Sequence, residues 1–99
     1  MESTSEKINV ILLKILPLLE YGEGHYWFQF FKAVIFKLNN TNNQYEIIKS
    51  VYATFRGGMG SFTDLVLHKD CIPLIHENDE LEDLKDQLYD ACEEFLKKY

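Results

Sequence analysis

Residues 44–55 read QYEIIKSVYATF, and whether they coil or extend decides the fold class. As a helix, Ile48, Val51, Tyr52 and Phe55 recur at i, i+3, i+4 and i+7 and share one face. As a strand, IIKSVYATF is rich in the β-branched and aromatic residues that suit a pleated surface. The helical reading is preferred, and it makes this segment the third helix of a mainly α chain.

Upstream, the same periodicity predicts two more helices. Ser3, Thr4 and Ser5 offer N-caps, and Ile8, Ile11, Leu12, Ile15, Leu16 and Leu19 form a stripe that Val10, Leu13 and Leu18 widen. A stripe this wide is expected to pack on more than one neighbour. Pro17 lacks a donor and should kink the helix near Leu13, while Gly22 and Gly24 should stop it. HYWFQFFKAVIFKL (25–38) predicts a second helix, apolar on most sides and so central to the fold or partly reserved for a partner. The polar run NNTNN (39–43) is a loop.

Downstream lies RGGMGSFTDLVLH (56–68). Gly57 is expected to cap the third helix in the left-handed region, Gly58 and Gly60 to permit a tight reversal, and Phe62 to fold back onto the core. Phe62, Asp64 and Val66 then alternate with Thr63, Leu65 and Leu67, which predicts a short strand. Lys69 and Asp70 can turn, and CIPLI (71–75) can pair back with Pro73 on an edge. The last helix is expected to open with Asn78 or Asp79 as N-cap and to bury Leu81, Leu84, Leu88, Ala91, Cys92 and Phe95. Lys97 and Lys98 close it at the end of the dipole that favours cations. The expected architecture is a small single domain over 1–99, with four helices and a short β-hairpin or extended loop between helices 3 and 4.

A net charge of −6 and a pI near 4.9 argue against binding nucleic acid or an anionic membrane, and they favour a basic protein partner. Cys71 and Cys92 are too few for a zinc site and are read as reduced thiols in or near the core. INVILLKILPLL (8–19) lacks a leader's cleavage site and is too short to span a bilayer, so a cytoplasmic location is expected.

Little in the chain resembles reaction machinery. The glycines lack the lysine of a phosphate-binding loop, Ser61 sits in no nucleophile elbow, and His25, His68 and His76 have no metal-ligand spacing. No catalytic residue, metal or cofactor is expected. The chain is expected as a monomer or homodimer, and the alternatives are a small hydrolase working through the 61–76 region with Asp64, His68 and His76, or a self-associating regulatory adaptor. Against these stands the last helix. Nine of the sixteen carboxylates fall between Glu77 and Glu94, and Asp79, Glu82, Asp83, Asp86, Asp90, Glu93 and Glu94 form a stripe beside the leucines. Only Lys85 interrupts it. The stripe is either a solubilising surface or a docking face for a basic partner, and in the second reading Trp27 and Phe31 of the second helix are its aromatic anchors.

The segment GGMGSFTDLVL (57–67) resembles that of an uncharacterised family of small bacterial proteins carrying GGMGSF(N/T)DLVL together with an early YGE–HW element. Tyr21, Gly22, Glu23, His25 and Trp27 match the early element, with Tyr26 inserted between His25 and Trp27. The resemblance implies no catalytic residues. By size and charge alone, the chain is similar to immunity proteins, which act by covering a bacterial toxin. An immunity or antitoxin-like inhibitor of a basic toxin is therefore the expected function.

Overall fold

The computed structural model describes residues 4–40, 43–55 and 62–98, with the backbone alone at Asp64. Helix α1 spans Thr4–Tyr21 and buries Ile8, Ile11, Leu12, Ile15 and Leu19, with Leu16 and Leu18 half-buried beside them. Val10 and Leu13 do not widen the stripe as expected, because both face outward and are exposed. The helix runs on through Pro17. The carbonyl that Pro17 leaves without a donor belongs to Leu13, on the wet side where water can satisfy it.

The stop after α1 works differently from a glycine cap. The left-handed residue is Glu23, at φ 64°, and no glycine supplies it. The Gly22 and Gly24 amides donate to the carbonyls of Leu18 and Leu19 at 2.9 and 2.7 Å. Gly22 is needed for space. A Cβ there would lie 2.7 Å from Cβ of the fully buried Leu67, while for one on Gly24 the nearest atom would be the end of the Leu19 side chain at 3.1 Å.

Helix α2, His25–Asn40, buries Phe31, Val34 and Leu38 and packs Trp27, Phe28, Phe30 and Ile35 on the core margin. In its last turn the side-chain amides of Asn39 and Asn40 donate back to the carbonyls of Ile35 and Phe36, both at 2.8 Å. Residues 44–53 are helical, as the spacing predicts. Helix α3, Gln44–Ala53, buries Ile48 and Val51. Its C-cap is Thr54, in right-handed conformation with its hydroxyl on the Val51 carbonyl at 2.6 Å. Gly57 is therefore not the C-cap residue, and Gly57, Gly58 and Gly60 lie outside the described residues.

Over 62–67 the predicted strand is absent: a single 3-10 turn stands at Phe62–Asp64, and strand begins only at His68. The Phe62 amide donates to the Thr54 carbonyl, and the Leu65 amide to that of Phe62, both at 3.2 Å. A two-stranded antiparallel hairpin follows, β1 (His68–Lys69) and β2 (Ile72–Pro73), in the register His68 opposite Pro73. Its turn sits one residue later than expected. Asp70 (φ 54°) and Cys71 (φ 68°) both take the left-handed conformation that a two-residue type I′ turn demands.

Helix α4 runs from Ile75 to Lys97 and starts several residues earlier than the sequence suggests, with Leu74 at the N-cap. It packs on α1 and α3, and α2 closes the ring against both. The fold is mainly α: four helices with a short hairpin between α3 and α4. Among the described residues, no helix is long and apolar enough to cross a membrane. Because Leu67 occupies the notch at Gly22, Gly22→Ala should lower the unfolding free energy by ~1–3 kcal/mol, the range of an overpacked core. Gly24→Ala should cost less than half of that in urea denaturation; equal costs would mean that the notch is not a tight contact.

Candidate functional site

The outer face of α4 is set by arithmetic. At roughly 100° per residue, Asp79, Glu82, Asp83, Asp86, Asp90, Glu93 and Glu94 fall within an arc of about 120°, opposite the buried Leu81, Leu84, Leu88, Ala91 and Phe95. All seven are exposed except Glu93, which is half-buried. Four of them have local partners. Glu82 pairs with Lys85 (2.9 Å), Glu93 with Lys97 (3.3 Å) and Glu94 with Lys98 (3.4 Å), while Asp83 accepts from Gln87 (2.8 Å). Asp79, Asp86 and Asp90 make no ion pair among the described residues. Lys97 holds the Glu93 carboxyl below the usual carboxylate range.

The inner side of α4 carries two residues whose roles the sequence reading missed. Asn78 is not a cap. Its Oδ1 accepts from the Leu67 amide at 2.7 Å and its Nδ2 donates to the Leu67 carbonyl at 3.0 Å, so one side chain replaces a strand neighbour. Lys85 does not interrupt the acidic face, because it points inward and is only 3% exposed. Its ammonium donates to the carbonyls of Leu65 (3.0 Å) and Thr63 (3.4 Å) and to Glu82, and lies 5.3 Å from the Phe62 ring centroid. The signal for Lys85 was present: it sits four residues after Leu81 and three before Leu88, in the phase of the buried stripe.

Phe31 is fully buried and cannot serve as an anchor for a partner. It forms, with Trp27 and the fully buried Phe62, an aromatic cluster at centroid distances of 4.8–5.9 Å. Trp27 is half-buried against Phe62, and the exposed aromatics of α2 are Tyr26 and Phe36. Beyond Phe62, a surface cleft of about 180 Å³ is lined by Phe55, Thr63, Glu82, Lys85, Asp86 and Tyr89. Behind it Tyr52 stacks on Tyr89, and its hydroxyl, with one proton to give, lies within hydrogen-bond reach of the Tyr89 hydroxyl (3.2 Å) and of Glu93 (3.3 Å). The bond to Tyr89, with burial and the nearby Glu93 charge, pushes the Tyr52 phenol up to about 12.

Of the histidines, His68 lies in β1 and His76 in the first turn of α4, both exposed. No group of three or more His, Cys, Asp and Glu residues suited to a metal occurs among the described residues. The Asp64 side chain and Ser61 lie outside the described residues. Cys92 is in the core as expected, but Cys71 is exposed at the hairpin turn.

These features define a small acidic four-helix protein whose third connection is tied into the core by α4. The chain belongs to the family described as Domain of unknown function (DUF6966), whose model matches residues 19–72, more than half of its length. That span holds Gly22, Trp27, Phe62 and Leu67, and α4 lies beyond it. No curated protein matches the chain, and no solved structure does.

Removing the Asn78 amide strands the buried Leu67 amide, so Asn78→Ala should cost ~1–3 kcal/mol in urea denaturation, whereas Asp79→Ala should change stability by less than ~0.5 kcal/mol. Near-equal effects would contradict the bridging role. Burial pushes the Cys92 thiol from 9.0 up to about 12. An unfolded chain releases that proton first, so this stabilisation is complete below pH 9 and is lost as pH rises toward 12. The melting temperature should therefore fall above pH 9. Ellman's reagent at pH 8 should titrate Cys71 alone in the folded protein and both thiols in urea; rapid labelling of both in the folded state would contradict the burial of Cys92.

Proposed function

We propose that this protein is a non-enzymatic binding domain that engages a basic protein partner through the outer face of α4. In finer detail, we propose a cytoplasmic, bacterial immunity or antitoxin-like inhibitor that covers a basic toxin. The observation that carries the reading is the placement of Asp79, Asp86 and Asp90. They stand on the solvent side of the longest helix without cationic partners among the described residues. Asp86 and Asp90 lie past the first turn, where the helix dipole no longer favours acids. Folding gains nothing from them, and like charges at i, i+4 cost a few tenths of a kcal/mol per pair. A face of this kind speeds encounter with a cationic surface, and occlusion of that surface needs no chemistry from the inhibitor. Glu93 and Glu94 pair with the exposed Lys97 and Lys98, which narrows the docking face to these three with Asp83 and with Glu82, whose partner Lys85 is buried.

The test is capture of a partner from the native organism with the tagged protein, followed by binding kinetics. Asp79→Lys, Asp86→Lys and Asp90→Lys together should leave the melting temperature within a few degrees of wild type. They should slow association by about tenfold or more at low salt, with the deficit shrinking as ionic strength screens the exposed charges beyond ~8–10 Å. Wild-type association by the triple variant at low salt would reduce the face to solvated surface.

A further inference from the structure

The cleft beside α4 is more specific than the charge around it. Glu82, Asp86 and Tyr89 follow one another at i, i+4 and i+7 along the edge of the acidic face that turns toward α3. Phe55 and Tyr89 form an aromatic corner, with centroids 5.5 Å apart and rings at 76°. Among the described residues that line the cleft, the one cation is Lys85, and its three protons are committed to Thr63, Leu65 and Glu82. Glu82 spends Oε1 on Lys85, yet its side chain stays 62% exposed. Asp86 is exposed and has no cation among the described residues. The described charged groups of the lining sum to −1, two carboxylates against one ammonium.

We propose that this cleft receives an arginine side chain from the basic protein partner, with the guanidinium against Phe55 and Tyr89 and hydrogen-bonded to Asp86 and Glu82. The inference rests on the docking role of α4 proposed above and names the contact that would anchor it. Two carboxylates at i, i+4 stand roughly 6 Å apart at Cβ, a span that a planar guanidinium can bridge. A volume of about 180 Å³ holds a side chain and excludes a folded element. Aromatic walls select arginine over lysine, because the guanidinium is flat, weakly hydrated and stacks on rings, whereas an ammonium stays hydrated.

The experiment uses hexa-arginine and hexa-lysine as probes, titrated into the full-length protein at constant ionic strength and followed by amide chemical shifts. Hexa-arginine should bind more tightly than hexa-lysine and shift Phe55, Thr63, Asp86 and Tyr89 most. Asp86→Asn should weaken hexa-arginine by about tenfold, the loss of one charge-assisted contact. Asp79→Asn removes the same charge elsewhere on α4 and should weaken it by less than about twofold. Phe55→Leu keeps an apolar wall without a π face and should erase the preference for arginine over lysine. If Asp79→Asn and Asp86→Asn weaken both probes equally, the cleft inference fails while a diffuse acidic docking face stands. If the wild-type protein binds neither probe, both fail.

Discussion

A backbone segment crosses the end of the core, and its peptide groups must be satisfied there. Residues 62–67 lead into the hairpin with one 3-10 turn as their only regular structure. Orphaned buried amides and carbonyls cost as much as lost hydrogen bonds, so such a path exists only if other elements supply partners. Here α4 supplies them. Asn78 takes both polar groups of Leu67, Lys85 takes the carbonyls of Thr63 and Leu65, and the Gly22 carbonyl accepts from the His68 amide. Phe62 and Leu67 are thereby fixed as fully buried plugs, one against Trp27 and Phe31, the other in the notch at Gly22. Among the described residues, no buried side-chain nitrogen or oxygen is left without a partner.

Two stretches far apart in the chain thus meet in space. Tyr21 lies under Lys69 of the hairpin, with the ammonium 4.2 Å from the ring centroid, Gly22 faces Leu67, and Trp27 faces Phe62. The family match covers both sides of this joint. The division of labour on α4 follows from it. The inner side meets the structural demands of the crossing segment, burying an ammonium in order to do so. The outer side carries no such duty, and its composition is free to answer to a partner. The cleft lies at the border between the two, where Glu82 neutralises Lys85 on one side and faces solvent on the other.

Helices were legible in the sequence wherever an apolar period ran long enough to name a face. The 44–55 stretch is the instructive case: its β-branched content suggested a strand, but the spacing of Ile48 and Val51 places both in the core of a helix. What stayed hidden depended on contacts distant in sequence. The start of α4 at Ile75 is set by Leu74 and the hairpin, so Asn78 was free to reach Leu67 rather than to cap. Alternation at 62–67 mimicked a strand, yet the segment lies outside the two-stranded hairpin, and Thr63, Leu65 and Leu67 bond to α4 side chains instead. The glycine at 22 reads as a terminator, although the structure uses its missing Cβ. As for the site, the acidic stripe was legible as periodicity. Phe31 was misplaced, because an almost uniformly apolar helix does not reveal which of its sides is buried.

The central claim, that α4 locks the crossing segment into the core, is tested most directly by native-state hydrogen exchange. The Leu67 and His68 amides donate to Asn78 and to the Gly22 carbonyl. If the segment is part of the cooperative core, both should exchange only through global unfolding, with the same opening free energy as Leu12 and Leu88. Exchange of Leu67 and His68 orders of magnitude faster, with the helices still protected, would show a loop that merely rests on the bundle and would contradict the account.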